Sequence, residues 1–247
     1  MLKDCDVTLI LNGYNEGKGL LSNLNIVQEI LEDTRYSWEI LLIDDVSNDN
    51  TLRTFRKFAY GKKNIRVIAH KKRAGRGASV VEGIIKGRGK VVGFLDTDLE
   101  LSPIYLPEFV RQINTGNDVA IATRIYAVGG SNFIRAIISR GYVFLIHLLL
   151  GIKLKDTEAG FKFFNKNAIL SLAKESEYKH WFWDTEIIAK SYWSGLKIAE
   201  IPVVYIYDPN KASTVNIVSD SIDYFKKLLE FRKKHKDELL FQRDNDK

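Results

Sequence analysis

The stretch Val91–Glu100, VVGFLDTDLE, decides the fold. Its apolar first half is typical of a strand buried on both faces of a parallel sheet. The run ends at Asp96 and Asp98, with Glu100 two positions later. In extended backbone residues i and i+2 point to the same side, so these carboxylates can converge on a hard cation such as Mg²⁺ or Mn²⁺. Taken alone, Asp-x-Asp after a strand more often starts a turn or caps a helix, here near Pro103.

Apolar runs rich in Val and Ile alternate with amphipathic stretches along the first half of the chain. This alternation predicts a mostly parallel sheet with helices on both faces, in which ligands bind at the carboxyl ends of the strands. Polar clusters stand at four such ends, at 12–16, 44–45, 71–77 and 96–98. The predicted strands are Val7–Leu11, Trp38–Ile43, Ile65–Ile68, Val91–Leu95 and Val119–Ala122, and the predicted helices lie near 18–33, 51–60, 77–87 and 103–115.

Composition limits the classes of protein to consider. A chain of 247 residues with 45% hydrophobic content can bury one α/β core, and its single cysteine, Cys5, excludes an internal disulfide, which favours a reducing cytosolic setting. The apolar stretch at 142–152 is about half the roughly 20 residues needed to cross a bilayer. The net charge of +6 is compatible with an anionic partner, whether nucleic acid, nucleotide or lipid surface.

Six segments together carry a resemblance to a known family. They are LNGYNE (11–16), EILLIDDVSNDNT (39–51), RAGRGAS (73–79), FLDTDLE (94–100), DTEAGFKFF (156–164) and FWDTEI (182–187). In this order they resemble the family 2 glycosyltransferases of the GT-A fold, and they are most similar to the dolichyl-phosphate glucose and mannose synthases. The resemblance implies an α/β, Rossmann-like catalytic domain over residues 1–212, followed by a basic amphipathic helix and tail over 213–247.

The resemblance implies a role for each polar cluster of the first half. Asp44 accepts a hydrogen bond from the nucleotide base, while Asn12, Tyr14 and Glu16 line the nucleoside pocket. Arg76 reaches the diphosphate, and a solvated cation at a helix start is the alternative. The metal, Mg²⁺ or Mn²⁺, is bound by Asp96, Asp98 and Glu100, the last of which stands where the family often has glutamine. Val46 stands where glycine often follows the aspartate pair, so the nucleotide loop departs from the family pattern.

The second half carries the acceptor prediction. The segment 133–150 is too apolar for a surface helix and too short to span a bilayer, so it is predicted to lie in the membrane interface, with a buried core helix as the alternative. In the lipid-phosphate transferases the matching residues hold the acceptor phosphate. The resemblance therefore assigns Arg124, Arg135 and Ser139 to a polyprenyl phosphate.

The C-terminal segment from residue 217 to 240 combines apolar residues at helical spacing with a basic face. Basic residues close to an anionic leaflet contribute roughly 1 kcal/mol each to membrane binding. We predict a protein that is cytoplasmic and peripheral on the cytoplasmic face of a membrane. An ordinary solvated helix is the alternative, and help from a separate membrane-anchoring subunit is left open.

The predicted reaction is a single displacement with inversion at the anomeric carbon. An acceptor phosphate is already largely ionised at neutral pH and needs no general base, whereas a hydroxyl acceptor does. Asp184 and Glu186 are therefore predicted either to orient the donor sugar or to act as the base. UDP is preferred over GDP because DTEAGFK and FWDTEI resemble the glucose synthases. The alternatives are a transferase acting on a hydroxyl of a soluble glycan, protein or cell wall and, more distantly, a nucleic-acid binder, for which no motif is present.

Overall fold

Seven strands form one sheet that runs through the molecule. Their bounds are β1 (Cys5–Gly13), β2 (Trp38–Asp44), β3 (Ile65–Ala69), β4 (Gly89–Leu95), β5 (Val119–Tyr126), β6 (Phe161–Asn165) and β7 (Ile198–Tyr205). The computed structural model describes residues 4–126, 131–206 and 217–239. For residues 131–140 and 217–220 it describes the backbone only. The strand order is β3-β2-β1-β4-β6-β5-β7, and β6 is antiparallel to both of its neighbours while the other pairs are parallel.

Helices cover both faces of this sheet. They are α1 (Leu20–Glu32), α2 (Thr51–Ala59), α3 (Arg76–Lys86), α4 (Leu106–Asn114), α5 (Ser131–Leu150), α6 (Lys166–Lys174), α7 (Trp183–Trp193) and α8 (Ile217–Lys234), with a short 3-10 turn at Pro103–Tyr105. The core on one face includes side chains of α1, α2 and α4, and the core on the other includes side chains of α3, α5, α6, α7 and α8. Burial of these two apolar layers is the main force that holds the fold together.

The structure confirms the predicted fold class. All five predicted strands and all four predicted helices of the first half are present, α5 covers the segment 133–150, and α8 covers residues 217–234 of the C-terminal segment. β6 and β7 were not predicted. Over the part of the chain that the structure describes, we find no helix with the length and apolarity to span a bilayer. The predicted boundary between residues 212 and 213 lies outside the described residues.

The register brings the strand ends to one level. Gly13 at the end of β1 pairs with Asp44 at the end of β2, and Asp44 pairs in turn with Ala69 at the end of β3. Asp96, the first residue after β4, donates its backbone N–H to the carbonyl of Gly160 at 2.9 Å. The polar clusters therefore meet at one edge of the sheet, as the alternation of strands and helices predicts.

Candidate active site

Two buried oxygens at the ends of β1 and β2 have no hydrogen-bond partner among the residues that the structure describes. They are Oδ1 of Asn12 and Oδ1 of Asp44. Asp44 is 1% exposed, and its other carboxylate oxygen accepts the backbone N–H of Ser47 at 3.2 Å. A buried acceptor without a donor costs about 1–3 kcal/mol. These two oxygens are therefore suited to accept N–H groups of a bound ligand.

The loop after β1 is held by a hydrogen bond of its own and by several to residues 47–51, which follow β2. The carboxylate of Glu16 accepts the backbone N–H of Tyr14 at 3.1 Å, and the backbone N–H of Glu16 donates to the hydroxyl of Thr51 at 2.9 Å. The guanidinium of Arg73 lies over the ring of Tyr14, 3.7 Å from its centroid. Glu16 thus shapes the loop, while Tyr14 presents an aromatic surface that already attracts a cation.

Val46 adopts a backbone conformation that is unusual for its residue type. Its φ is +66°, in the left-handed region that strongly disfavours β-branched residues. The family often has glycine at this position, and glycine enters this region without strain. Val46 therefore keeps the loop geometry expected of glycine at an energetic cost, and it lies next to the Asp44-Asp45 pair.

The three predicted metal ligands do not converge. The carboxylate of Glu100 accepts the hydroxyl of Tyr205 at 2.9 Å, and Oδ1 of Asp98 accepts the backbone N–H of Glu100 at 3.2 Å. Within residues 4–126, 131–206 and 217–239, no three His, Cys, Asp or Glu side chains are arranged to hold a metal ion. Burial and the nearby carboxylates of Asp98 and Asp184 raise the pKa of Asp96 to about 6, although Arg76 opposes the change. The mutual repulsion of Asp96 and Asp98 is what a divalent cation would relieve, so this pair fits one, while the ligand role of Glu100 stays a prediction.

Arg76 joins two carboxylates from distant parts of the chain. Its Nε donates to Oδ1 of Asp96 at 3.0 Å, and its Nη1 donates to Oδ2 of Asp184. Its Nη2 lies 2.9 Å from the same Asp96 oxygen, yet this buried nitrogen makes no hydrogen bond to any described residue. Lys162, which is fully buried, donates to Oδ1 of Asp184 at 2.6 Å. Two cations and two carboxylates thus form one compact cluster, the Arg76 cluster.

Gly160 makes room for the Arg76 cluster. A Cβ atom at this position would lie 1.7 Å from Oδ2 of Asp96 and 3.1 Å from Nη2 of Arg76. Backbone therefore approaches the Asp96 carboxylate more closely than any side chain would allow. The glycine of DTEAGFK is required by this approach.

The predicted acceptor residue Arg124 is already paired. Its guanidinium binds Asp156 in a bidentate manner, at 2.6 and 2.9 Å, and its side chain is 22% exposed. Asp156 also accepts the backbone N–H groups of Glu158 and Ala159. Arg135 and Ser139 lie one turn apart on α5, but their side chains are outside the described residues. The binding of an acceptor phosphate by Arg124, Arg135 and Ser139 therefore stays a prediction. Arg124 would contact that phosphate while it is paired with Asp156.

Glu186 lies outside the Arg76 cluster. Its fully buried carboxylate accepts the backbone N–H groups of Glu177 and Tyr178 and is paired with Lys190 at 2.6 Å. The structure therefore separates the two acids that the sequence treats as equivalent. Asp184 faces Arg76, and Glu186 fastens the loop before α7.

Two residues near the cluster were missed in the sequence. Glu158 accepts hydrogen bonds from the hydroxyls of Thr185 at 2.5 Å and Tyr224 at 2.8 Å, and burial together with the charge of Asp184 raises its pKa to about 7. Trp181 is 55% exposed, with its ring 4.9 Å from the guanidinium of Arg76. Glu158 lies within the motif DTEAGFKFF, and Trp181 directly precedes FWDTEI, so their positions in the sequence could have marked them as candidates. Their contacts with distant parts of the chain could not be predicted from these motifs.

Comparison with known sequences adds to this geometry. The sequence profile of Glycosyl transferase family 2 matches residues 8–172. Glycosyltransferase AglD of Haloferax volcanii is 30% identical over 220 residues, which cover 87% of this chain and 35% of that protein. Dolichyl-phosphate beta-glucosyltransferase ALG5D of Trichomonas vaginalis is 29% identical over 80% of this chain and 64% of its own length. The chain therefore spans less than two thirds of each of these relatives.

Solved structures share the architecture at low sequence identity. Glucosyl-3-phosphoglycerate synthase from Mycobacterium tuberculosis in complex with UDP superposes with a TM-score of 0.70 at 16% identity, covering 93% of this chain and 80% of that one. The same enzyme with Mn²⁺, UDP and glucosyl-3-phosphoglycerate gives a TM-score of 0.66 at 15% identity, covering 91% and 77%. At this identity the likeness concerns the fold alone. The family profile, in contrast, covers more than half of the sequence and includes five of the six motifs, and by that match the chain belongs to glycosyl transferase family 2.

Proposed function

We propose that the chain transfers a hexose from a nucleotide sugar, with UDP preferred over GDP, to a polyprenyl phosphate at a membrane surface. The observation that carries this proposal is the set of buried polar atoms at one sheet edge that make no hydrogen bond to any described residue, although one of them, Nη2 of Arg76, is ion-paired with Asp96. Asp44 and Asn12 offer acceptors, and Nη2 of Arg76 offers a donor. A nucleoside diphosphate supplies the complement, with N–H groups on its base and oxygens on its phosphates.

The nucleotide preference draws on the relatives. Two relatives are described as dolichyl-phosphate beta-glucosyltransferases, and the enzyme with the shared fold was crystallised with UDP. UDP-glucose is therefore the first donor to test.

Arg76 is proposed to stabilise the leaving group. As the bond between sugar and diphosphate breaks, charge builds on the departing diphosphate, and a guanidinium held in place by two carboxylates needs little reorganisation to meet it. Asp96 and Asp98 would hold the divalent ion, Mg²⁺ or Mn²⁺, which when bound supplies further neutralisation of the diphosphate. Asp184 orients Arg76 through their ion pair, and Lys162 in turn holds the Asp184 carboxylate.

An acceptor phosphate agrees with the state of the two predicted acids. Both oxygens of Asp184 already accept hydrogen bonds from cations, and both oxygens of Glu186 accept backbone N–H groups. A proton taken up by either carboxylate would neutralise the buried ion pairs with Arg76, Lys162 and Lys190, which disfavours a general-base role for these two acids. A phosphate, which attacks without a general base, suits such a site better.

One observation favours a hydroxyl acceptor instead. Glu158 is half-buried, and its pKa of about 7, raised by burial and by Asp184, suits a general base at neutral pH. The variant Glu158→Gln separates the two functions. A hydroxyl acceptor that needs this base would lose transfer by about 10²-fold or more, whereas transfer to a phosphate would be largely retained.

The membrane surface is proposed from α5 and α8. Phe144 and Leu148, one turn apart on α5, are 63% and 56% exposed, and Ile222, Phe225 and Leu229 on one side of α8 are 42–54% exposed. The two helices contact each other through Tyr142 and Tyr224, whose ring centroids are 4.8 Å apart. Exposed apolar side chains beside basic ones fit a helix pair that rests in the headgroup region. We place this surface on the cytoplasmic leaflet, and an additional anchoring subunit is compatible with it.

The test measures UDP release from UDP-glucose with Mg²⁺ or Mn²⁺ and two acceptors of equal chain length, a polyprenyl phosphate and the matching polyprenol. Release that depends on the phosphate, and that is lost in Arg76→Met and in Arg135→Ala, is the expected result. Binding of UDP-glucose should survive Arg135→Ala, since that residue is assigned to the acceptor. Release with the polyprenol, or with a soluble glycan and no lipid, would overturn the proposed acceptor.

A further inference from the structure

A second charged cluster lies beside the arginine loop, which we define as residues 71–76. The imidazole of His70, the residue after β3, sits between two carboxylates: Nδ1 is 2.8 Å from Oδ1 of Asp45, and Nε2 is 2.6 Å from Oε2 of Glu82. The His70 side chain is 11% exposed and that of Asp45 is 6% exposed. Glu82 lies on α3 and is also paired with Lys86. No part of the proposed reaction uses this cluster.

Asp45 connects the cluster to the arginine loop. Its two carboxylate oxygens accept the backbone N–H groups of Ala74 at 2.7 Å and Gly75 at 2.9 Å. Gly75 has φ +98°, and a Cβ atom there would lie 2.4 Å from the carbonyl of Lys179, so this position of the loop requires glycine. The position of Asp45 therefore determines where the loop enters α3.

Both arginines of this loop reach the candidate site. Arg73 covers the ring of Tyr14, and Arg76 pairs with Asp96 and Asp184. A displacement of the loop backbone by about 1 Å would disturb both contacts, because hydrogen bonds weaken steeply away from their optimal geometry. The cluster thus supports the guanidinium that is proposed to meet the diphosphate.

The chemistry of imidazole makes this support depend on a proton. A neutral ring has one N–H donor and one acceptor nitrogen, so it can donate to only one of two carboxylates, whereas an imidazolium donates to both. Burial lowers the pKa of His70, but the hydrogen bonds and charges of Asp45 and Glu82 outweigh burial and raise it above its ordinary value. The charged groups that face the ring are Asp45 from the end of β2 and Glu82 from α3, with Lys86 behind Glu82.

We propose that His70, as an imidazolium bridging Asp45 and Glu82, is a positioning residue that fixes the arginine loop for nucleotide-sugar binding. Below its folded-state pKa the ring donates to both carboxylates and the loop is held. As the pH rises through that value the ring keeps one N–H, and its other nitrogen turns a lone pair toward a carboxylate that also offers only lone pairs. This repulsion displaces the ring from its place between Asp45 and Glu82, and the loop loosens. The assignment of the loop to a nucleotide sugar rests on the proposed function, but the link between His70 and the loop does not.

Glu82→Gln separates positioning by the ring from a requirement for its charge. In this variant a neutral ring still donates through Nδ1 to Asp45, while Nε2 accepts an N–H of the glutamine amide. The loop should therefore stay held at high pH. His70→Gln, in contrast, has an amide that cannot reach both carboxylates, so the loop should be loose at every pH.

The first readout is independent of activity. Hydrogen exchange of the peptide covering residues 71–76 is compared between variants at pH 6 and pH 8.5, as ratios at each pH so that the intrinsic exchange rate cancels. We expect wild type and Glu82→Gln to match at pH 6 and wild type to exchange about tenfold faster than Glu82→Gln at pH 8.5. The ring resonance of His70, assigned with His70→Gln, should titrate above about 6.5 in wild type and lower in Glu82→Gln. Equal exchange ratios at both pH values, or a wild-type titration at or below about 6.5, would overturn the inference.

The second readout is the affinity for UDP-glucose without acceptor, because the charge of its diphosphate does not change between pH 6 and 8.5. Wild type and Glu82→Gln should bind equally at pH 6, and wild type should bind about tenfold more weakly than Glu82→Gln at pH 8.5, since the titration of Asp96 and Glu158 affects both proteins alike. A profile equal in both proteins would overturn the role of His70 in binding. If UDP-glucose binds at no pH, the proposed function fails, while hydrogen exchange still decides the link between His70 and the loop.

Discussion

The first five strands and the region after them leave different groups unsatisfied. Around β1 and β2, buried oxygens of Asn12 and Asp44 lack a donor. Around α5 and α8, apolar side chains such as Phe144 and Ile222 are exposed on two helices that contact each other. Exposed apolar side chains such as Ile104 also occur in the first region, but there the buried acceptors at the sheet edge are the groups that call for a ligand. This difference is what a transferase needs if it takes a water-soluble donor and a lipid acceptor.

The two regions meet in the Arg76 cluster, whose central carboxylate belongs to Asp184. Removing this carboxylate should change the free energy of unfolding more than any other variant considered below. Asp184→Ala leaves fully buried Lys162 without its counter-ion and removes one partner of Arg76. We expect a loss of about 3–5 kcal/mol in the free energy of unfolding, since an uncompensated buried charge is costly. Urea denaturation measures it.

The control for this variant is Asp98→Ala, which removes a nearby carboxylate that is half-buried and lies outside the cluster. It should cost less than about 1 kcal/mol in unfolding free energy while abolishing transfer, because its assigned role is in metal binding. Equal destabilisation by the two variants would mean that the cluster does not hold the two regions together.

Glu158 tests the second region through pH. Its folded-state pKa of about 7 lies above the ordinary glutamate value of about 4.3, so the native state binds the proton more tightly than the unfolded state. The stabilisation is present at low pH and is lost as the pH rises toward 7. Relative to wild type, Glu158→Gln should therefore gain about 2 kcal/mol of unfolding free energy between pH 5 and pH 8.

Denaturation at both pH values provides the measurement. Glu29→Gln on α1, where the side chain is exposed, is the matched control and should follow wild type. A Glu158→Gln curve parallel to wild type would show that the acid titrates normally.

Asp44 tests the first region through ligand binding. Asp44→Asn keeps the shape of the side chain but replaces a charged acceptor by a neutral one, so the affinity for UDP should fall about tenfold, or about 1.4 kcal/mol. Stability should change little, because Oδ1 has no partner among the described residues to lose. Calorimetric titration with UDP is the measurement. A variant that loses stability and keeps UDP affinity would assign Asp44 to the fold instead.

The first five strands and the region after them also differ in how far the sequence predicts them. The ends of β1, β2 and β4 follow local rules, since an apolar run that stops at a polar cluster marks both a strand and its carboxyl end. The position of Asp44, Arg76 and Asp96 at one edge was therefore predictable. Val46 was also identifiable as a departure, and its positive φ shows what the departure costs.

The second region depends on contacts that local patterns do not carry. β6, FKFFN, is short and contains Lys162, whose burial makes sense only with Asp184, 22 positions away. Its antiparallel insertion between β4 and β5 is likewise a property of the whole sheet. The pairing of Arg124 with Asp156 and the inward role of Glu186 were hidden for the same reason.

The smallest expected effect concerns the basic face of α8. Lys233 is exposed near the end of that helix, and one lysine close to an anionic leaflet contributes about 1 kcal/mol to binding. Lys233→Ala should therefore weaken binding to vesicles containing anionic lipid about fivefold, without changing binding to neutral vesicles. Sedimentation with vesicles at low and high salt measures the change, which should disappear at high salt because surface charge is screened. Lys63→Ala removes an exposed lysine of equal charge from the first region and should bind as wild type does. If both variants weaken binding equally, attraction is set by net charge, and the membrane surface cannot be assigned to α5 and α8.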